Sequence, residues 1–247
     1  MIIGPISLLG KSIKFLRKNY AFSYTLFAYF WLAYILINLS GNESVIAKYA
    51  NTLLGNEKIL LSLCMMALAV ASFFISIWGT ACTFALNKTL AKQENKVAER
   101  TLRLGHIFPQ AREVFVPLFI TSLLYYIFGA LWTILFIVPG IIYGIKAFFY
   151  GPIIVWEGKR YRDALKESMK LTQRHEWYIL YCLICVALLI YIPVTLIEEV
   201  YLRELTSPNI NFLWSTIIPS AFRGLAYLVF IQTEVFLYLA LKEAQKQ

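Results

Sequence analysis

The chain has 247 residues, 60% of them hydrophobic and 15% charged, with a formal net charge of +9 and a mean hydropathy of +0.65. Soluble proteins run at about 45–50% apolar and about 25% charged, so one water-soluble core cannot hide this much apolar surface. A secreted disulfide scaffold, a disordered chain, a fibrous repeat and an ordinary cytosolic enzyme are excluded, which leaves a polytopic membrane protein.

In chain order, the first element is amphipathic. Ile6, Leu9, Ile13 and Leu16 recur at helical spacing while Lys11, Lys14 and Lys18 occupy other faces, as in a helix lying in the membrane interface. The first apolar run, 21–39, follows this basic stretch and reads as a retained anchor, because it is longer than a signal core and no small-x-small cleavage site clearly ends it. The second run is 59–86. Residues 114–156 form a third stretch with a single charge, Lys146. As helix it would be about 64 Å long, twice a bilayer, so it folds back once. Pro139–Gly140 is the expected break, giving spans 114–138 and 140–156. Runs 177–197 and 214–241 complete six spans. Between the fourth and fifth lies a second amphipathic helix, Arg160–His175, with Ala164, Leu165, Ser168, Met169 and Thr172 on one face and basic residues opposite. The fold class is therefore all-α, a six-span transmembrane bundle with cytoplasmic interfacial helices, formed by 1–247 as one integral membrane domain.

The charges set the expected orientation. Segments 1–20, 87–113, 157–176 and 242–247 hold 4, 6, 6 and 2 Lys or Arg, 18 of the 23. Six spans place all four on one side, and basic loops stay cytoplasmic, so both termini are expected there, in a cell membrane. The partners this implies are membrane lipids, with anionic headgroups meeting a one-sided basic belt, and not nucleic acid. Trp156, Trp177, Tyr178 and Trp214 fall at span ends, as interfacial anchors do. Leu9-x-x-Ser12-x-Lys14-x-x-x-Lys18 matches Leu165-x-x-Ser168-x-Lys170-x-x-x-Arg174, a pattern that also admits three units of basic helix plus two spans.

Within the spans, Gly140, Gly144, Ala147 and Gly151 form a small-residue stripe suited to close helix approach, inside the chain or across a homodimer. Lys146, Arg223 and Glu234 are the candidate intramembrane polar site, since charge in hydrocarbon is costly. Two arrangements are open. Lys146 and Glu234 pair locally while Arg223 reaches the outer interface, or all three line a polar cavity. The four cysteines, Cys64, Cys82, Cys182 and Cys185, fall in spans and read as buried apolar thiols. Ser72, Ser76, Cys82 and Ser122 lie in spans without a matching His. The two histidines, His106 and His175, sit in basic segments, with no HExxH, GxSxG, Walker loop or acidic cluster. No catalytic residue, metal site or cofactor is expected.

The stretch Pro139-Gly140, Lys146, Gly151-Pro152-Ile153-Ile154-Val155-Trp156-Glu157-Gly158, Asp163-Ala164-Leu165-Lys166-Glu167-Ser168 and Leu171-Thr172-Gln173-Arg174-His175-Glu176-Trp177 resembles the membrane-domain family named after glycerophosphoryl diester phosphodiesterases, and related prokaryotic integral membrane proteins. Gln173 departs from the glycine or charged residue often found there. In those phosphodiesterases the chemistry belongs to a separate soluble domain, and no non-membrane segment here is long enough to be one. The resemblance implies a stand-alone membrane module and transfers no catalytic residue. The first functional expectation is thus a non-enzymatic membrane protein with a scaffold, partner-binding or envelope-maintenance role, with a protein partner or homodimer. The alternative is a transporter or lipid-handling protein using Lys146, Arg223 and Glu234.

Overall fold

The computed structural model describes residues 4–40, 56–93, 104–205 and 212–245. These form nine helices: α1 Pro5–Lys18, α2 Tyr20–Ser40, α3 Asn56–Gln93, α4 Leu104–Leu135, α5 Ile137–Ala147, α6 Tyr150–Glu157, α7 Tyr161–Thr172, α8 Glu176–Leu205 and α9 Phe212–Ala244. Six stretches are long and apolar enough to cross a membrane: Tyr20–Ser40, Glu57–Ala91, Ile107–Leu135, Ile137–Glu157, Glu176–Val200 and Thr216–Ala244. The protein is an all-α, multi-pass integral membrane bundle. Its outer surface carries the residues lipid must solvate, such as Ile59, Leu63, Met66, Val70 and Phe74 along one face of α3, and Ile184, Leu188, Ile192 and Leu196 along α8. The side chains of His106, Arg203 and Trp214 and the basic residues of 94–103 lie outside the described residues.

Two prolines set where the fourth span turns, and both act one turn before themselves. A proline ring clashes with the carbonyl four residues earlier. For Pro139 that residue is Leu135, where α4 ends. The hairpin therefore turns at Phe136, extended at φ −155° and ψ 121°, and not at Pro139–Gly140 as expected. Pro139 instead occupies the first turn of α5, where its missing N–H costs nothing. For Pro152 the clashing residue is Phe148, and the fourth span breaks again at Phe148–Phe149. It is thus two short helices, α5 and α6, where the sequence suggested one. The break leaves backbone groups without helical partners. Ser168 and Thr172 supply them: the Phe149 N–H donates to Ser168 Oγ at 3.0 Å, and the Lys146 carbonyl accepts from Ser168 Oγ at 2.8 Å and Thr172 Oγ1 at 3.2 Å.

This explains where the amphipathic helices sit. The expected face of α7 is buried at Ala164, Leu165, Ser168 and Thr172, but against α4, α5 and α6. In α1 the inward face is Leu8 and Ser12, both fully buried. The Ile6-Leu9-Ile13-Leu16 face is a different one, and its Ile6 and Ile13 are exposed, as residues turned to a membrane interface are. Ser12 Oγ lies 2.9 Å from Thr233 Oγ1 of α9, so a polar contact and not the apolar periodicity decides the docking face.

The small-residue stripe is divided by the second break. A Cβ on Gly140 would lie 2.8 Å from Thr133 Cα and 2.9 Å from its nitrogen, so this glycine permits the tight α4–α5 hairpin. Gly144 faces Tyr125 of α4 at ordinary contact distance, and Ala147 is fully buried. Gly151, on α6, packs instead on the Phe84 ring of α3. Cys82 and Cys182 are buried, Cys185 is half-buried, and Cys64 is exposed on the lipid-facing surface, contrary to the expectation of four buried thiols.

Candidate functional site

The three in-span charges separate into two satisfied ions and one unsatisfied one. Lys146 pairs with Glu176 at the start of α8, Nζ to Oε1 3.5 Å, and not with Glu234. Arg223 does not reach away from the bundle as expected. Its guanidinium forks onto Glu198 of α8, with Nε–Oε1 and Nη2–Oε2 both 2.9 Å, and its Nη1 donates to Asn38 Oδ1 of α2 at 3.3 Å. Glu198 is 5% exposed, so this bidentate pair is desolvated on the acid side. The three residues expected to share one polar site are therefore held apart, and only Glu234 faces a cavity.

That cavity has a volume of about 460 Å³. Its walls follow helical periodicity. From α3 come Ala69, Ser72, Phe73, Ser76, Ile77, Thr80 and Phe84; from α9, Tyr227, Phe230, Ile231 and Glu234. These are i, i+3, i+4, i+7 stripes, each one face of its helix. Leu118, Ser122, Tyr125 and Tyr126 of α4 and Ala33, Tyr34 and Ile37 of α2 close the sides, with Phe148, Tyr150 and Gly151 at the break in the fourth span. The void exists because span four, broken by Pro152, does not fill the groove between α4 and α9 with a continuous helix.

The aromatic walls are mutually braced. Tyr125 packs against Tyr126 at 5.3 Å and Tyr150 at 5.2 Å between ring centroids, and Phe73 abuts Tyr126. Opposite them, Tyr227 meets Phe30 edge-on at 5.1 Å and Tyr34 at 6.1 Å. The Tyr150 hydroxyl is held by Ser122 at 2.9 Å and the Tyr125 hydroxyl donates to the Gly144 carbonyl at 3.3 Å. What these tyrosines chiefly offer the cavity is ring surface.

Glu234 is the last of three consecutive polar residues on α9, each directed to a different neighbour. Gln232 exchanges two hydrogen bonds with Asn87 of α3, at 2.8 and 2.9 Å. Thr233 meets Ser12 of α1. Glu234, by contrast, has neither a cation in salt-bridge range nor a hydrogen-bond donor among the described residues. It is half-buried and lines the cavity. An unpartnered carboxyl in this setting is expensive and is not a packing solution. A polar cavity was one of the two open arrangements, but of its three expected residues only Glu234 lines it, and its aromatic walls were not expected. Its one sequence signal was Ser72, Ser76 and Thr80 at i, i+4 and i+8 within an otherwise apolar span.

Among the described residues no cluster of three or more His, Cys, Asp and Glu side chains is placed to hold a metal ion. Compared with family models, curated proteins and solved structures, the chain gives no significant match to any of them.

Proposed function

We propose that this membrane protein binds a ligand in the cavity around Glu234 and moves or presents it at the bilayer, as a transporter or lipid-handling protein. The observation that carries this reading is the unpaired Glu234 carboxyl in a tyrosine-walled cavity within the spans. The discontinuous fourth span adds support, because non-helical backbone at membrane depth is tolerated where it lines a cavity, and broken helices commonly form transporter sites. A non-catalytic role is favoured by Ser72 Oγ donating to the Ala33 carbonyl, Ser122 Oγ to that of Leu118, and a cavity lined by no histidine among the described residues. The basic residues of α1 and α7 favour a cytoplasmic placement of that side, against anionic headgroups of the cell membrane. The resemblance to phosphodiesterase membrane domains is compatible with such a membrane module.

A scaffold role is the second reading, favoured by the internal pairing of Lys146 with Glu176 and Arg223 with Glu198. Native mass spectrometry of the protein released from its own membranes separates the two. The cavity reading expects a stoichiometric small companion on the wild type that is lost from Glu234→Gln. A bare chain, or one carrying only another protein, would overturn it.

A further inference from the structure

The ligand class follows from what the cavity lacks as much as from what it holds. An anion would meet an unpaired carboxylate, and among the described residues both nearby in-span cations are engaged elsewhere, Lys146 by Glu176 and Arg223 by Glu198. A neutral ligand without a hydrogen-bonding group would leave the carboxyl without a partner, and a neutral donor would offset its charge less well than a cation. A bare metal cation needs several converging oxygens at about 2.0–2.6 Å and little space. Here no cluster of three or more His, Cys, Asp and Glu is placed to hold a metal among the described residues, and the volume of about 460 Å³ lies in the range of sites for organic molecules. Aromatic ring faces carry negative potential, and cages of them recognise alkylated ammonium groups. Tyrosines 34, 125, 126, 150 and 227 all line this void, with one carboxyl among them.

We infer that the Glu234 cavity takes a lipophilic organic monocation, an amine or quaternary onium compound, with its charged head at Glu234 and its apolar body between the tyrosine walls. The inference rests on the ligand-binding reading above and names its substrate class. The bundle gives such a molecule apolar walls for its body and a counter-ion for its head, so it enters without leaving either charge bare.

The test is equilibrium binding of tetraphenylphosphonium to the full-length protein in zwitterionic-lipid nanodiscs, with partitioning into empty nanodiscs subtracted. Tetraphenylborate, of similar shape and opposite charge, is the control. Saturable 1:1 binding of the phosphonium, and none of the borate, is expected. Glu234→Gln should weaken phosphonium binding by more than about 30-fold. Tyr227→Leu should weaken it by about 2- to 30-fold, while Tyr227→Phe, which keeps the ring, leaves it near wild type. The wild-type comparison needs no variant to fold. Absence of saturable phosphonium binding, equal binding of both ions, or binding unchanged by Glu234→Gln overturns the cation assignment. A co-purified neutral or anionic companion would then leave the ligand-binding reading standing while this one falls.

Discussion

Gly224 sits where α2 and α9 cross most closely, and replacing it with alanine tests the packing that frames the cavity. A Cβ at Gly224 would lie 2.8 Å from the Trp31 nitrogen, 3.0 Å from Trp31 Cα and 3.1 Å from the Phe30 carbonyl carbon. All three are backbone atoms, so no side chain can swing aside. Carbon contacts are comfortable from about 3.5 Å, so the two helices must part by roughly 0.5 Å or more at this point. The same interface carries the Trp31 Nε1 bond to the Ile217 carbonyl at 3.0 Å and the Asn38 Nδ2 bond to Ser220 Oγ at 2.8 Å, both of which stretch as the helices separate. Overpacking of this kind costs about 1–3 kcal/mol, offset by about 1 kcal/mol of helix propensity gained on removing glycine. The net loss is then up to about 2 kcal/mol, or up to roughly 8 °C of melting temperature. Gly10→Ala is the matched control: nothing lies within 4 Å of its added Cβ, so only the propensity gain remains. Thermal unfolding of purified protein, followed by tryptophan fluorescence, measures both. A Gly224→Ala protein melting at or above wild type would refute the close crossing.

Four further outcomes are expected. Ser168→Ala strips the Phe149 N–H of its acceptor, while Thr172 still serves the Lys146 carbonyl; it should cost about 1–3 kcal/mol in the same melt and speed amide exchange at Phe149. Tyr143→Phe should hold or raise stability by up to about 1 kcal/mol, because the Tyr143 hydroxyl is buried without a hydrogen-bond partner among the described residues; a clear loss would refute that placement. Glu198→Ala leaves the half-exposed Arg223 without its bidentate acceptor and should destabilise by about 2 kcal/mol, with Glu198→Gln recovering part of the loss. Outside the spans, Lys159 bonded to Glu167 holds that carboxyl below its usual value of 4.5, and Glu167 in turn raises Lys159 above 10.5. A depressed acid stabilises above its unfolded pKa and a raised base below its own, so this contribution is present from about pH 4.5 to 10.5 and fades beyond either end. Proteolysis of the α6–α7 connection should therefore quicken below that window in wild type, with a weaker acid dependence in Glu167→Gln.

Six spans were legible because hydrophobic length and charge distribution are one-dimensional properties. The turns were legible only to within one helical turn. Pro139 and Pro152 announce breaks, but each acts on the carbonyl four residues earlier, so the chain reverses at Phe136 and breaks at Phe148–Phe149. The side of α1 that docks on the bundle was not legible for a different reason. In lipid, apolar side chains gain little by turning inward, so Ile6 and Ile13 can face outward while Ser12, which needs a hydrogen-bond partner, turns towards Thr233. The small-residue stripe failed at Gly151 because offsets of 4, 7 and 11 define a face only along an unbroken helix. Ser220-x-x-x-Gly224, with the same small-residue spacing on an unbroken helix, makes the closest α2–α9 contact and passed unremarked.

The candidate site was half legible, and the missing half concerns partners more than positions. Lys146, Arg223 and Glu234 stood out because charge within a span demands an explanation. The topology already constrained the answer for two of them. Spans five and six pack antiparallel, which brings Glu198 and Arg223 to similar depth, and the chain returns through α7 to set Glu176 beside Lys146. Glu234 lies deeper on α9, level with apolar Cys182 and Leu183 of α8, and with Thr233 shares a small void lined by them. Neighbouring polar groups at that depth, Asn87 and Gln232, satisfy one another. Charge within a span therefore marks a site only after the acids and bases that the topology can bring to its depth have been matched against it. Lys146 and Arg223 find such partners and become struts of the bundle. Glu234 finds none among the described residues, which is why we propose a ligand as its partner.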